Sequence, residues 1–406
     1  MSTTETSFSF DPLANRADPY TGYRWLREHD PVHHDAESGM WILTRHADIQ
    51  ALLRAPATWS NDHRRSHTHQ DWLKGMGAPP AADELLAKVL LFMDPPNHTR
   101  LRSLVSKAFT PKRVEALRSR VEAVLEDILS PLRERGEMDV IGDLAYPLPV
   151  TVICELLGVP VEDRDLFRQQ TRELAVILEW QLGPDDFMAA GMAAVAFATY
   201  FLPLFEQRRC EPRDDLVSAL VAAEDDGDRL SPEELLTTCV LLLTAGHETT
   251  MNLIGNGLLA LLRHPDQWQH LCEGPALVRG AVEELLRYDS PVQLTARTAT
   301  CDTEIDSRRI REGDQVVALL GAANRDPAAF VDPETLDVGR TDAGHHLSFG
   351  GGPHFCLGAA LARIEAQVVF TALAALGGLE LTVDEPEWRQ RFTLRGLERL
   401  PVRLAV

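Results

Sequence analysis

Apolar positions recur at helical spacing through the middle of the chain, from about residue 99 to 285, with Pro111, Pro149 and Pro184 as first-turn or helix-breaking punctuation. Before this stretch the pattern is mixed. Pro31-Val32-His33-His34 and Met40-Trp41-Ile42-Leu43-Thr44 flank a turn at Glu37-Ser38-Gly39, which predicts a hairpin. Residues 60–92 are polar and rich in Gly and Pro, with Trp72, Met76 and Phe92 interleaved, which predicts a long mobile loop. Strand patterns return at 296–305, 315–322 and 379–383. Repeats and low-complexity linkers are absent. The pattern predicts a mainly α chain, a large helical body with a small β-sheet lobe, folded as one unit over residues 1–406.

One helix stands out. Ser231 caps it, Pro232 occupies its first turn, Glu234 completes a capping box, and His264-Pro265 stops it after Arg263. At 1.5 Å per residue it is roughly 48 Å long. Residues 239–245 are apolar on nearly all sides, so this part is buried. Ala245-Gly246-His247-Glu248-Thr249-Thr250 follows, and an acid with two hydroxyls in a buried helix is costly unless paired. Gly246 weakens the helix and opens a groove for a ligand, Thr249 can bond back to the Ala245 carbonyl, and His247 faces solvent or substrate. The segment reads either as a kink with satisfied polar groups or as a place where an alcohol and an acid relay protons.

Composition narrows the function. Sixty-one acidic against forty basic residues give a net charge of -21, which argues against general nucleic-acid or anionic-membrane binding. The six cysteines are scattered without a Cys-x-x-Cys, so neither a disulfide framework nor a zinc module is expected. The N-terminus lacks a basic and then apolar leader, and no uninterrupted run of eighteen apolar residues occurs. The expectation is a cytoplasmic protein with no membrane span.

The most informative stretch is Phe349-Gly350-Gly351-Gly352-Pro353-His354-Phe355-Cys356-Leu357-Gly358. Its glycines let the backbone approach a flat ligand, and the apolar run from Ala359 starts a helix whose N-terminus favours a Cys356 thiolate. Taken alone, Cys356 would more often be a buried apolar cysteine in a turn. The stretch resembles the Phe-Gly-x-Gly-x-His-x-Cys-x-Gly signature of the cytochrome P-450 family at every fixed position, and Ala245-Gly246-His247-Glu248-Thr249 resembles that family's Ala/Gly-Gly-x-Asp/Glu-Thr pattern.

The resemblance implies a soluble bacterial haem-thiolate monooxygenase carrying heme b, with Cys356 as the axial ligand of the iron. It implies Thr249 as the alcohol that binds oxygen and Glu248 as the relay acid. His98, Arg102, Arg297 and His354 would contact the haem propionates, with His346 less supported. Glu284 and Arg287 resemble the family's Glu-x-x-Arg helix, and Arg340 would be their third, structural partner; Leu336 stands where the family often has phenylalanine. Arg100, Lys107, Lys112, Arg113 and Arg363 form a cationic cluster suited to an acidic ferredoxin, which with its reductase would supply electrons. By analogy the pocket would be lined by Ala245, Val292, Leu294 and Leu394, with Trp180, Phe187, Met188 and Met192 as an adaptable lid. The expected substrate is a hydrophobic natural product such as a polyketide, macrolide or terpenoid, hydroxylated or epoxidised by a monomeric enzyme. A peroxide-driven peroxygenase and a non-catalytic haem sensor are the alternatives.

Overall fold

The computed structural model describes residues 15–76, 84–179, 183–225 and 228–404. The long helix forms over Pro232–Arg263, the limits its signals predict. Ser231 Oγ accepts from the Glu234 N–H at 3.2 Å and Glu234 Oε2 accepts from the Ser231 N–H at 2.9 Å. Against this central helix pack Pro147–Leu157, Arg164–Ala175, Pro184–Cys210, Val278–Tyr288 and Ala359–Leu376; Arg118–Arg135 lies behind the first and last of these. Leu253, Ile254, Leu258 and Leu261 of the central helix share one core with Ile153, Phe197, Leu285 and Phe370. Each such side chain contributes about 1.5–3 kcal/mol by leaving water.

The predicted hairpin forms as Val32–His34 against Trp41–Leu43, with Gly39 at φ 71° in its turn. It joins a five-stranded sheet in the order Val32–His34, Trp41–Leu43, Gln315–Leu319, Leu294–Ala299, Trp59–Ser60. The strand expected over 296–305 is two, Leu294–Ala299 and Thr303–Ile305, and residues 320–322 belong to a short helix, Leu320–Ala323. A second sheet places Pro401–Leu404 between Leu379–Leu381 and Glu137–Asp139.

Two expectations need correction. The 60–92 segment is not loop throughout: His67–Met76 is helical, with Ser66 Oγ accepting from the His69 N–H at 3.2 Å, and residues 77–83 lie outside the described part. Its polar composition hides the periodicity. Second, three helical stretches are long and apolar enough to cross a membrane by length and composition, although none is an uninterrupted apolar run. Val140–Leu157 and Ala359–Leu376 are 72% and 56% buried inside the protein, as core helices are. Pro184–Cys210 is only 22% buried. It packs inward through Phe197, Phe201 and Phe205 and turns Met188, Met192, Val195 and Leu202 outward. Met188 and Met192, 65% and 71% exposed, therefore face solvent rather than forming a pocket lid. Phe187 remains half-buried with its ring 5.9 Å from that of Trp72, while Trp180 lies outside the described residues.

Candidate functional site

The loop before the helix Ala359–Leu376 is built to present a sulfur. Gly350 and Gly352 have φ of 71° and 61°, and a Cβ on Gly352 would lie 2.1 Å from the Leu53 carbonyl oxygen, so only glycine fits. The Cys356 N–H donates to the Phe349 carbonyl at 2.9 Å, closing the turn. Cys356 Sγ accepts from the N–H groups of Gly358 and Ala359, and Arg102 and Arg363 add positive charge. Crowding by neighbouring atoms nevertheless outweighs these and raises the thiol above its ordinary range, where the sequence favoured a lowered one, although the residue itself is exposed to solvent. An anionic sulfur here is stabilised by a coordinated cation.

Four basic side chains, His98, Arg102, Arg297 and His354, gather near this loop. Both ring nitrogens of His98 and Nε2 of His354 are buried without a hydrogen-bond partner, and the two rings lie 3.9 Å apart. Burial, then His98, Arg297 and Arg102, push His354 down to about 3. Arg297 is pushed down to about 10 by burial; its Nη1 donates to Thr295 Oγ1 and to the Ala296 carbonyl, at 2.9 and 2.7 Å. Arg102 Nη2 donates to the Phe355 carbonyl at 2.7 Å. Orphan ring nitrogens and two arginines beside a sulfur fit a flat group bearing two carboxylates. His346 does not join them: its Nε2 lies 3.3 Å from Glu283 Oε2.

On the central helix, Thr249 Oγ1 donates to the Ala245 carbonyl at 2.9 Å, as its spacing predicts. Glu248 is 2% exposed, with Oε1 accepting from Arg389 Nη1 at 3.2 Å and lying 3.5 Å from Arg391 Nη1. Gly246 opens no ligand groove; a Cβ there would meet Ile153 at 3.4 Å, so the glycine serves helix–helix packing. His247 is buried rather than exposed, its Nδ1 2.8 Å from the Leu243 carbonyl and its ring edge-on to Tyr146. Glu365 was not anticipated. It is fully buried beside Thr250, and burial pushes its carboxyl up to about 8, so it is neutral at pH 7.

The anchors lie behind the loop. Arg287 Nε and Nη2 donate to Glu284 at 2.6 and 2.8 Å, and Arg340 Nε lies 3.1 Å from Glu284 Oε2. A second knot escaped the sequence: Arg363 donates bidentately to Glu283 at 2.7 and 2.8 Å and stacks on Phe349, 4.5 Å from its ring centre. The cationic cluster is correspondingly weaker than expected, since Arg363 is neutralised by Glu283, Arg100 by Glu234, and Arg113 lies 3.3 Å from Asp214. Burial alone would raise the Glu283 carboxyl, but Arg363 and His346 hold it at about 2 against an ordinary 4.5. Its contribution is present above pH 4.5 and is lost as pH falls toward 2. We expect roughly 2–3 kcal/mol of wild-type stability to disappear across that window. Glu283→Gln should start lower and be flatter there in urea titrations at stepped pH; equal pH slopes would remove the knot's significance.

The pocket residues are only partly brought together. Val292 bridges Leu394 in antiparallel fashion, and the Gln293 N–H donates to the Thr393 carbonyl at 2.9 Å. Ala245 is half-buried on the central helix. Leu294 instead enters a small core with Tyr20, Tyr23 and Phe392, because its strand turns that face inward.

The family model described as "Cytochrome P450" matches residues 67–274 and 276–376. The chain is 43% identical to the vitamin D(3) 25-hydroxylase of Pseudonocardia autotrophica, covering 95% of this chain and 93% of that one. It is 40% identical to the 6-deoxyerythronolide B hydroxylase of Saccharopolyspora erythraea, with 95% and 96% covered. The structure of the Bacillus subtilis bacillaene polyketide synthase cytochrome P450 PksS superposes with a TM-score of 0.88 at 37% identity, covering 98% of this chain and 100% of that one.

Proposed function

The chain belongs to the cytochrome P450 family and is a haem-dependent monooxygenase, and we propose that its substrate is a large hydrophobic natural product of the polyketide, macrolide or terpenoid class. The single observation that carries the chemistry is the sulfur of Cys356, held by the N–H groups of Gly358 and Ala359 beside the orphan ring nitrogens of His98 and His354 and the guanidinium groups of Arg102 and Arg297. The substrate class is supported by the named activity of the 6-deoxyerythronolide B hydroxylase and by the bacillaene context of PksS. The apolar pair Val292 and Leu394, bridged to each other, agrees with it.

When bound, the haem supplies dioxygen activation, one oxygen atom entering the substrate and the other leaving as water. Cys356 would ligate the iron through Sγ. His98, Arg102, Arg297 and His354 would hold the two propionates, which would satisfy the orphan ring nitrogens and pair the two guanidinium groups. Glu248 would carry protons at its carboxylate oxygens. Thr249 Oγ1 keeps its own proton on the Ala245 carbonyl and offers its lone pairs to the next proton donor. The buried side chains of Leu243, Met251 and Leu253 on the same helix keep bulk water out.

We further propose a cytoplasmic monomer fed by a separate ferredoxin and its reductase. A cleft of about 600 Å³ beside Phe355, edged by His46, Arg54 and His345, supports docking near the sulfur loop.

The primary test is the carbon monoxide difference spectrum of the reduced protein. A strongly red-shifted Soret band is expected, and an imidazole-type band in intact protein would overturn the assignment. Thr249→Ala should lower product formed per electron about tenfold, with hydrogen peroxide appearing instead. Unchanged coupling would remove the alcohol's role.

A further inference from the structure

Arg389, Arg391 and Arg395 crowd into one short segment, 388–396, that folds back on itself. Trp388 bridges Leu397 in antiparallel fashion, and the Arg389 N–H donates to the Gly396 carbonyl at 3.0 Å. Arg395 ties this segment to the N-terminal stretch. Its Nε donates to Asp289 at 2.7 Å, its Nη2 to the Ala17 carbonyl at 3.2 Å, and its Nη1 to the Arg16 carbonyl. Where the two stretches meet lies a cavity of about 10 Å³, edged by Arg16, Trp388, Arg389, Arg391 and Arg395. It has room for one guest about the size of a water.

The side chains around this cavity are rich in donors and poor in acceptors. Trp388 Nε1, Arg389 Nε and Arg391 Nη1 are buried without hydrogen-bond partners. Among the described lining residues, Gln293 is the side chain with an acceptor oxygen, and that oxygen already accepts from Tyr23 at 2.9 Å. Charge is unbalanced in the same sense. The guanidinium groups of Arg16, Arg172, Arg389, Arg391 and Arg395 outnumber the carboxylates of Glu179, Glu248, Asp289 and Glu398 that reach this segment. Burial lowers the Arg389 guanidinium below its ordinary value, although Glu248 and Glu398 oppose it. A water in the cavity would bring two O–H groups for which these side chains offer no acceptor. A halide accepts only, and its charge has the sign the arginines lack.

We propose that this cavity is a chloride site. The anion accepts from Trp388 Nε1, Arg389 Nε and Arg391 Nη1, offsets the excess of guanidinium charge, and fastens the N-terminal stretch at Arg16 to the segment 388–396. Organic anions such as gluconate are too large for the space. The site stands apart from Cys356 and from the haem chemistry, so it holds or fails independently of the reaction proposed above.

The test follows thermal unfolding of the haem-loaded protein as sodium chloride replaces sodium gluconate at constant ionic strength. The midpoint should rise by about 2–4 °C on reaching about 100 mM chloride, and level off as a single site fills. Trp388→Phe removes one donor and keeps the ring on which Arg395 stacks, 3.6 Å from its centre. Arg16→Met removes one cation. Each should weaken the apparent chloride affinity about five- to tenfold, read within the variant and so independent of its own starting midpoint. Crystals grown with bromide in place of chloride should show anomalous scattering in the cavity. A midpoint indifferent to chloride, equal chloride dependence in wild type and both variants, or a cavity without bromide would overturn the site. A bromide peak with no chloride effect in solution would mean an adventitious ion only, and would overturn it too.

Discussion

Cys356→Ser removes the red-shifted carbon monoxide band and lowers substrate oxidation by about 10³-fold or more, equivalent to at least about 4 kcal/mol of barrier. The substitution is nearly isosteric, and the turn that carries it is held by backbone groups that serine keeps: the Cys356 N–H to the Phe349 carbonyl, and the glycines that fit against Leu53. The N–H groups of Gly358 and Ala359 would still find an acceptor in the serine oxygen. Fold and helix content should therefore persist while the electronic character of the ligand changes. Circular dichroism should overlay wild type, and the reduced carbon monoxide complex decides the matter: a retained red-shifted band would remove Cys356 from its role.

Glu284→Ala has the largest expected effect on stability, about 3–5 kcal/mol. Glu284 and Arg287 are wholly buried, and Glu284 serves Arg287, Arg340 and the Asp337 N–H at once. Removing it leaves two guanidinium groups in a space that cannot hydrate them. The damage does not stay local. Arg287 donates to the Asn324 carbonyl at 3.0 Å, the Asn324 side chain accepts from the Leu347 N–H and donates to Ser348 Oγ, and Ser348 directly precedes Phe349. Urea unfolding should show the loss, and haem retention on gel filtration should fall with it. Glu284→Met/Arg287→Met, which leaves only Arg340 without Glu284 and still 3.6 Å from Asp342, should cost less than Glu284→Ala. A Glu284→Ala midpoint close to wild type would mean the triad is dispensable.

What the sequence made legible was local or carried by a contiguous motif. The central helix announced itself because Ser231, Pro232 and Glu234 cap it and His264-Pro265 ends it, and the sulfur loop because its glycines, histidine and cysteine are consecutive. What it hid depends on distant pairing. Glu248 and Arg389 are 141 positions apart and no periodicity links them. Glu283 and Arg363, 80 apart, each look like an ordinary surface charge until helices Val278–Tyr288 and Ala359–Leu376 meet. Met188 and Met192 were misplaced for another reason: an apolar helix with small residues all round does not reveal which face is inward, and only Phe197, Phe201 and Phe205 decide it.

The lateness of the last partners bears on how the protein is made. Asn256 donates its side-chain amide to the Arg395 carbonyl, 139 residues further along, and Glu248 waits slightly longer, 141 residues, for Arg389. At a ribosomal pace of about 5–20 residues per second, a gap of 139 residues lasts roughly 7–28 s. For that interval the nascent central helix carries polar groups with no counterpart in the chain. Burying that face early would be unfavourable, so its final docking is a late event in biogenesis, completed as the segment 388–396 emerges.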